Sequence, residues 1–204
     1  EVTGGYILEG VAQSRTEGAQ GVGWFQHSYM YLNYIEPRPE EMTAAQRTYI
    51  ANYLNSARTA MGTSNYGNYI NAASFVDWDI IQQISNNTDS WFGSVFMYKD
   101  RNGLLSMGPV WDFNIAYGNV DYGICQTASG WSWSYEGWPW YSQLAKHADF
   151  NQMWVDHWQQ FRRDSITEYV RELRAALREA DPEKKLAGYV WGRLGADADR
   201  AGQD

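Results

Sequence analysis

Apolar residues along this chain alternate between stretches of extended periodicity and stretches of helical periodicity. Gly4-Gly5 followed by Tyr6-Ile7-Leu8-Glu9 reads as a turn feeding a strand, and Ser14 to Gly23 as a polar, glycine-rich loop. From Trp24 to Tyr34 aromatic and polar residues alternate, which suits a strand pair or an extended connector, and Pro37 and Pro39 end it. Thr43 is the expected N-cap of a helix on which Ile50, Tyr53, Leu54, Ala57 and Met61 recur at three- and four-residue steps until Gly62. Tyr66 to Asn71 is a loop. Ser74 is then expected to cap a second helix with the apolar stripe Phe75, Trp78, Ile81 (or Ile80) and Ile84. Asn86-Asn87 breaks that helix and leaves Asp89 just beyond its C-terminus.

The next stretch predicts a hairpin. Val95-Phe96-Met97-Tyr98 is β-prone, Asp100-Arg101-Asn102-Gly103 carries turn chemistry, and Leu104-Leu105-Ser106-Met107 begins the return strand. Gly108-Pro109 stops it, because Pro cannot donate a ladder hydrogen bond, so Val110-Trp111-Asp112-Phe113 leaves the sheet on a fixed, irregular path. Asp121 to Tyr141 shows little periodicity and holds Trp131, Trp133, Trp138 and Trp140. A long aromatic loop of this kind either serves a function or plugs the flank of the fold. From Asp149 the pattern is helical again, with Phe150, Met153, Trp154, His157, Trp158 and Phe161 on one face and Ile166, Tyr169, Val170, Leu173, Ala176 and Leu177 on another. Asp181-Pro182 separates a last helix ending near Leu194, and the tail from Gly195 is small and polar.

At 204 residues the chain is long enough for one unit with a real core. Its 11 Trp and 15 Tyr supply large buried rings whose polar atoms want partners. A net charge of −8 argues against nonspecific nucleic-acid binding, which depends on Lys and Arg neutralising phosphates. Half of the 16 basic residues lie between Arg162 and Arg193, as the solvated side of the late helices. Cys125 is alone, which excludes an internal disulfide and a multi-Cys zinc site. No apolar run approaches the roughly 18 residues of a membrane span.

Two aspartates carry the candidate chemistry. Asp112 lies between Trp111 and Phe113, so its carboxylate must reach solvent, find a donor or bind a cation; the plain alternative is an Asp that caps its own turn. Asp89 follows a helix C-terminus, which disfavours a carboxylate and so rewards a nearby cation, whether a metal or a basic substrate group. His27, His147 and His157 show no metal-ligand spacing and read as structural imidazoles. Ser94, Ser129 and Ser132 lack the G-x-S-x-G turn of a hydrolase.

The run Gly108-Pro109-Val110-Trp111-Asp112-Phe113-Asn114-Ile115-Ala116-Tyr117-Gly118-Asn119 resembles the signature of the CotH family, atypical protein kinases named after a spore-coat protein. Asp77-Trp78-Asp79-Ile80-Ile81-Gln82-Gln83-Ile84-Ser85-Asn86-Asn87-Thr88-Asp89 resembles that family's helix ending in its catalytic Asp, and the 23-residue spacing to Asp112 agrees. Gly4-Gly5-Tyr6-Ile7-Leu8-Glu9, Gln46-Arg47-Thr48-Tyr49-Ile50 and Tyr98-Lys99-Asp100 extend the match over roughly residues 1 to 195, in family order.

The resemblance implies an α+β, atypical protein-kinase-like fold over 1–195, mostly the helical C-terminal lobe with a β-hairpin bearing the metal site, followed by a frayed tail at 196–204. It implies transfer of the ATP γ-phosphate to protein Ser or Thr, with Asp89 as the catalytic carboxylate and Asp112 and Asn114 on Mg²⁺ or Mn²⁺. Asn114 stands where many relatives carry a second Asp, and Gln82-Gln83 where they often show Asn-Glu, so two possible carboxylates are neutral here. The nucleotide-gripping residues and their lobe are expected upstream of Glu1, which leaves the chain alone a poor enzyme and the Tyr6-Ile7-Leu8 strand an unpaired apolar edge. By the same resemblance the compartment is a bacterial cell surface, the secreted space or a spore coat. The competing expectation is a noncatalytic pseudokinase module that binds glycan or protein through Trp131, Trp133, Trp138 and Trp140.

Overall fold

The computed structural model describes residues 2–27, 30–90, 93–122, 125 and 139–180. It has two compact units, Glu1–Trp154 and Val155–Asp204. The first unit is α+β, built on a five-stranded antiparallel sheet of β1 (Tyr6–Val11), β2 (Trp24–His27), β3 (Met30–Glu36), β4 (Val95–Lys99) and β5 (Leu105–Met107). The spatial order is β2-β3-β1-β4-β5. The expected strand pair between Trp24 and Tyr34 forms as β2 and β3, with Phe25 opposite Leu32. The expected hairpin forms as β4 and β5, closed by the Gly103 amide donating to the Asp100 carbonyl at 3.0 Å with Asn102 left-handed at φ 55°.

The expectation for the first strand is overturned. β1 is the central strand, not an open edge: Leu8 pairs with Tyr34 on one side and with Met97 on the other. Its pleat explains the alternation in the sequence, because Tyr6 and Leu8 are buried while Ile7 and Glu9 are only half-buried. The glycines before it also acquire a reason. A Cβ on Gly4 would stand 2.1 Å from the Arg101 Cα, so no side chain fits where the N-terminal segment crosses the hairpin turn, and Gly5 takes a φ of 80°.

The same crossing is fastened by Lys99, which is 1% exposed. Its Nζ donates to the Thr3 carbonyl at 3.0 Å and the Asp100 carbonyl at 3.3 Å, and lies 4.5 Å from the Tyr53 ring centre and 5.4 Å from that of Tyr49. Carbonyl dipoles and ring faces replace the hydration that the ammonium gives up.

The helices are α1 (Ala44–Met61), α2 (Ala72–Ser85), the short α3 (Pro139–Leu144) and α4 (Ala148–Ala180), whose start belongs to the first unit. Thr43 caps α1 as expected, in a reciprocal capping box with Gln46. Ser74 does not cap α2; Asn71 holds the cap position, and the Ser74 hydroxyl donates to the Asn71 carbonyl at 2.7 Å while accepting from the Met107 amide at 3.1 Å. α2 is buried on most sides rather than along one stripe. Phe75, Val76, Trp78 and Ile80 are buried, but so are Asp79, Gln82, Gln83 and Ser85, while Ile81 and Ile84 are half-buried. Asp79 accepts from Gln83 Nε2 at 3.1 Å and from the Trp154 indole N–H at 2.8 Å. α3 and the start of α4 complete this core. The Tyr141 hydroxyl donates to the Phe75 carbonyl at 2.9 Å, and the Tyr66 hydroxyl donates to Asp149 Oδ2 at 2.7 Å.

In the second unit the described residues are those of α4 from Val155 onward. Trp158 stacks on Phe161 with ring centres 5.9 Å apart, and Arg162 lies over Trp158. Ile166, Tyr169 and Leu173, which share a face of the helix, are exposed. The helix expected to end near Leu194 and the tail lie outside the described residues.

Two buried groups give opposite pH dependence. Burial holds the His27 imidazole down at about 4, and Arg58 adds to that; burial pushes the Asp79 carboxyl up to about 6 against its two hydrogen bonds. On acidification from pH 7 to 4 the unfolded chain protonates His27 before the folded chain does, which lowers stability. Over nearly the same range the folded chain protonates Asp79 first, which raises it. Each shift corresponds to about 3 kcal/mol, so the two largely offset. Asp79→Asn, which keeps an acceptor for Trp154, should therefore lose about 2 kcal/mol more than wild type between pH 7 and 4.5, and His27→Phe should lose less than wild type. Urea denaturation at both pH values checks this, and slopes parallel to wild type would contradict it.

Candidate functional site

The site grows from the way α2 ends. Asn86 takes the left-handed conformation at φ 47°, its amide donates to the Gln83 carbonyl at 3.2 Å, and the Asn87 amide donates to the Gln82 carbonyl at 3.3 Å. This paired closure satisfies carbonyls that a helix end leaves open. It also turns Asn87 inward, where it is 1% exposed. Its side-chain Oδ1 accepts from the Asp89 backbone N–H at 3.2 Å, and its Nδ2 donates to the Asp112 backbone carbonyl at 3.3 Å. One amide thus bridges the backbones of the two aspartates that the sequence singled out.

Asp89 stands just past the helix, as expected, with its carbonyl accepting from the Gly93 amide at 3.0 Å. Its half-buried carboxylate has no hydrogen bond or ion pair among the described residues. Asp112 has a donor. Ser94, at the entry to β4, gives its hydroxyl to Asp112 Oδ2 at 2.9 Å. Asp112 therefore neither caps its own turn nor pairs with a basic residue among the described residues.

The segment after β5 folds back on α2. Trp111, 45% exposed, leans on Phe96 with ring centres 5.4 Å apart, and the chain passes through Asp112 at φ 60°. The Tyr117 amide then donates to the Ser85 carbonyl at 2.8 Å, and Asn119 Nδ2 donates to the Asn114 carbonyl at 2.6 Å. Gly118 donates to the buried Cys125 sulfur at 3.2 Å, so the lone thiol packs rather than reacts. Of the five non-glycine residues at positive φ among the described residues, Asn86, Ser94, Asp112 and Tyr117 surround this site and Asn102 forms the hairpin turn. Asn and Asp tolerate that conformation; Ser and Tyr hold it at a cost that the surrounding hydrogen bonds must meet.

Asn114 lies two residues beyond Asp112 and is exposed. A carboxylate oxygen and an amide oxygen are hard donors, and they fit a small divalent cation that keeps open positions for water or phosphate oxygens. Among the described residues no three His, Cys, Asp or Glu side chains gather into a self-sufficient metal cluster. Trp140 belongs to the core and not to a groove: it is 2% exposed, edge-on to His27 at 5.4 Å and against Phe75. Trp131, Trp133 and Trp138 lie outside the described residues.

Asn87 and Ser94 are the site residues that sequence reading missed. Asn87 looked like a helix breaker and Ser94 like an unactivated serine. A buried-type polar residue two positions before a candidate catalytic Asp was the available signal for the first; nothing local marks the second.

A family model described as CotH kinase protein matches residues 5–200. No curated protein and no solved structure gives a match.

Asn87→Ala should cost about 2 kcal/mol, because it leaves the part-buried Asp89 N–H and Asp112 carbonyl without their partner. Chemical denaturation at pH 7 measures it; a loss below about 0.5 kcal/mol would mean the bridge carries no weight.

Proposed function

The chain belongs to the CotH kinase family, and from that membership we propose that it is a metal-dependent protein-kinase-like domain that transfers the ATP γ-phosphate to Ser or Thr of a protein substrate. The observation that carries this reading is the Asn87 bridge, which ties the turn bearing Asp89 to the loop bearing Asp112. Asp89 presents a carboxylate without a partner among the described residues, suited to orient an incoming hydroxyl and to accept its proton as it attacks. Asp112, held by Ser94, and Asn114 would hold the Mg²⁺ or Mn²⁺. When bound, that ion supplies positive charge to the phosphate oxygens. Because Asn114 brings an oxygen but no charge, Asp112 carries the electrostatic part of that hold. Exposed Trp111 and Tyr117 flank Asp112 and offer apolar surface next to the reacting region.

Two substitutions, each made in the full-length protein, separate the roles. Asp112→Asn keeps a residue that tolerates φ 60° and still accepts the Ser94 hydroxyl, so the fold should persist while metal-dependent ATP binding falls below detection in calorimetry with Mn²⁺. Equal heats for both proteins would remove Asp112 from the metal site. Asp89→Asn should bind metal and nucleotide as wild type does, yet transfer radiolabelled phosphate to protein about 10²–10⁴ times more slowly, because its task lies in the transition state. Undiminished transfer would assign the hydroxyl-orienting role elsewhere.

A further inference from the structure

A carboxylate on a loop is a poor metal ligand unless something fixes both its backbone and its rotation, since each free torsion must be frozen when the ion arrives. Asp112 is fixed at both places by residues from elsewhere in the chain. Asn87 Nδ2 holds its backbone carbonyl, and Ser94 Oγ holds Oδ2 of its side chain. Both holding residues are buried, and neither side chain bears a charge that would itself attract a cation.

Ser94 is the more telling of the two. It sits at φ 56°, a conformation that glycine adopts freely and serine does not, directly after Gly93 and before the first residue of β4. A glycine at 94 would serve the backbone at least as well. What glycine lacks is the hydroxyl, and that hydroxyl donates to the carboxylate oxygen at 2.9 Å. A donor to one oxygen leaves the other oxygen of Asp112, and the outward lone pair of Oδ2, to face a cation in a set direction.

We propose that Ser94 is a positioning residue for a divalent cation at Asp112, with Asn87 as the second fixed point that keeps the carboxylate in step with Asp89. The assignment rests on the reading of Asp112 as the metal ligand. Ser94 does not touch the cation or the reacting atoms; it sets how firmly Asp112 can take the ion.

The test uses two substitutions that share one loss and differ in another. Ser94→Gly and Ser94→Ala both remove the hydroxyl, but only Ser94→Ala keeps a Cβ at positive φ. Stability should therefore follow the backbone, with Ser94→Gly melting within a few degrees of wild type and Ser94→Ala lower. Metal affinity should follow the hydroxyl, with both variants binding Mn²⁺ about 10-fold or more weakly than wild type. The readout is the electron paramagnetic resonance signal of free Mn²⁺ titrated against the whole chain without nucleotide, alongside thermal melts. Wild-type binding with both variants weakened would support the proposal. Ser94→Gly binding Mn²⁺ as well as or better than wild type would overturn it and leave Asp112 as the ligand. Mn²⁺ binding absent from wild type, or unchanged in Asp112→Asn, would overturn both the proposal and the reading beneath it.

Discussion

A buried ammonium with carbonyl oxygens and ring faces for partners sets the frame of the first unit. Lys99 lies in β4, yet it holds the Thr3 carbonyl of the N-terminal segment, the Asp100 carbonyl of the hairpin turn and the faces of Tyr49 and Tyr53 on α1. Tyr53 in turn donates to the Tyr69 carbonyl at 2.8 Å, in the connector whose Ile70 bridges to Leu105 of β5. Desolvating such a charge costs several kcal/mol, so the arrangement persists only if each partner is in place. That requirement makes the crossing of Gly4 over Arg101 and the register of β4 on β1 parts of one condition. Since the hairpin delivers the chain to Asp112, the site inherits this fixed frame.

The site itself is held by uncharged donors rather than by opposite charges. Amide and hydroxyl donors orient Asp112 without placing an opposite charge beside it. Asn87 and Ser94 do this from different elements, one at the end of α2 and one at the start of β4. The left-handed residues gathered there mark the same compromise, in which backbone strain is accepted where a side chain must be aimed.

Within α2, polar burial links the site to the helical part of the unit. Asp79 joins Gln83 on its own helix to Trp154 near the start of α4, one to two turns before the closure at Asn86 and Asn87. The Gln83 of this arrangement stands where, by the family resemblance, relatives often carry a carboxylate. With Asp79 already buried and ionisable beside it, a neutral amide at 83 avoids placing two desolvated carboxylates side by side.

What the sequence determined by itself is what local chemistry decides. The Thr43 N-cap, the Asn102-Gly103 turn, the stop at Gly108-Pro109 and the break at Asn86-Asn87 each depend on a few adjacent residues, and each appeared where the pattern put it. The family was legible for a related reason, because its signature is a set of short runs in fixed order. The partners of buried polar groups were not legible. Ser94 finds Asp112 across 18 residues, Asn87 finds it across 25, Trp154 finds Asp79 across 75 and Lys99 finds Thr3 across 96. Such pairings are chosen by strand register and by the desolvation of the groups concerned, and neither leaves a periodic mark on the sequence. The same limit explains where β1 and Trp140 ended: β1 became central because β3 and β4 found its two edges, and Trp140 left the expected groove because α3 carried it into the core. Local spacing fixes which way a residue faces along its own element; only the assembled sheet and helices decide what stands opposite.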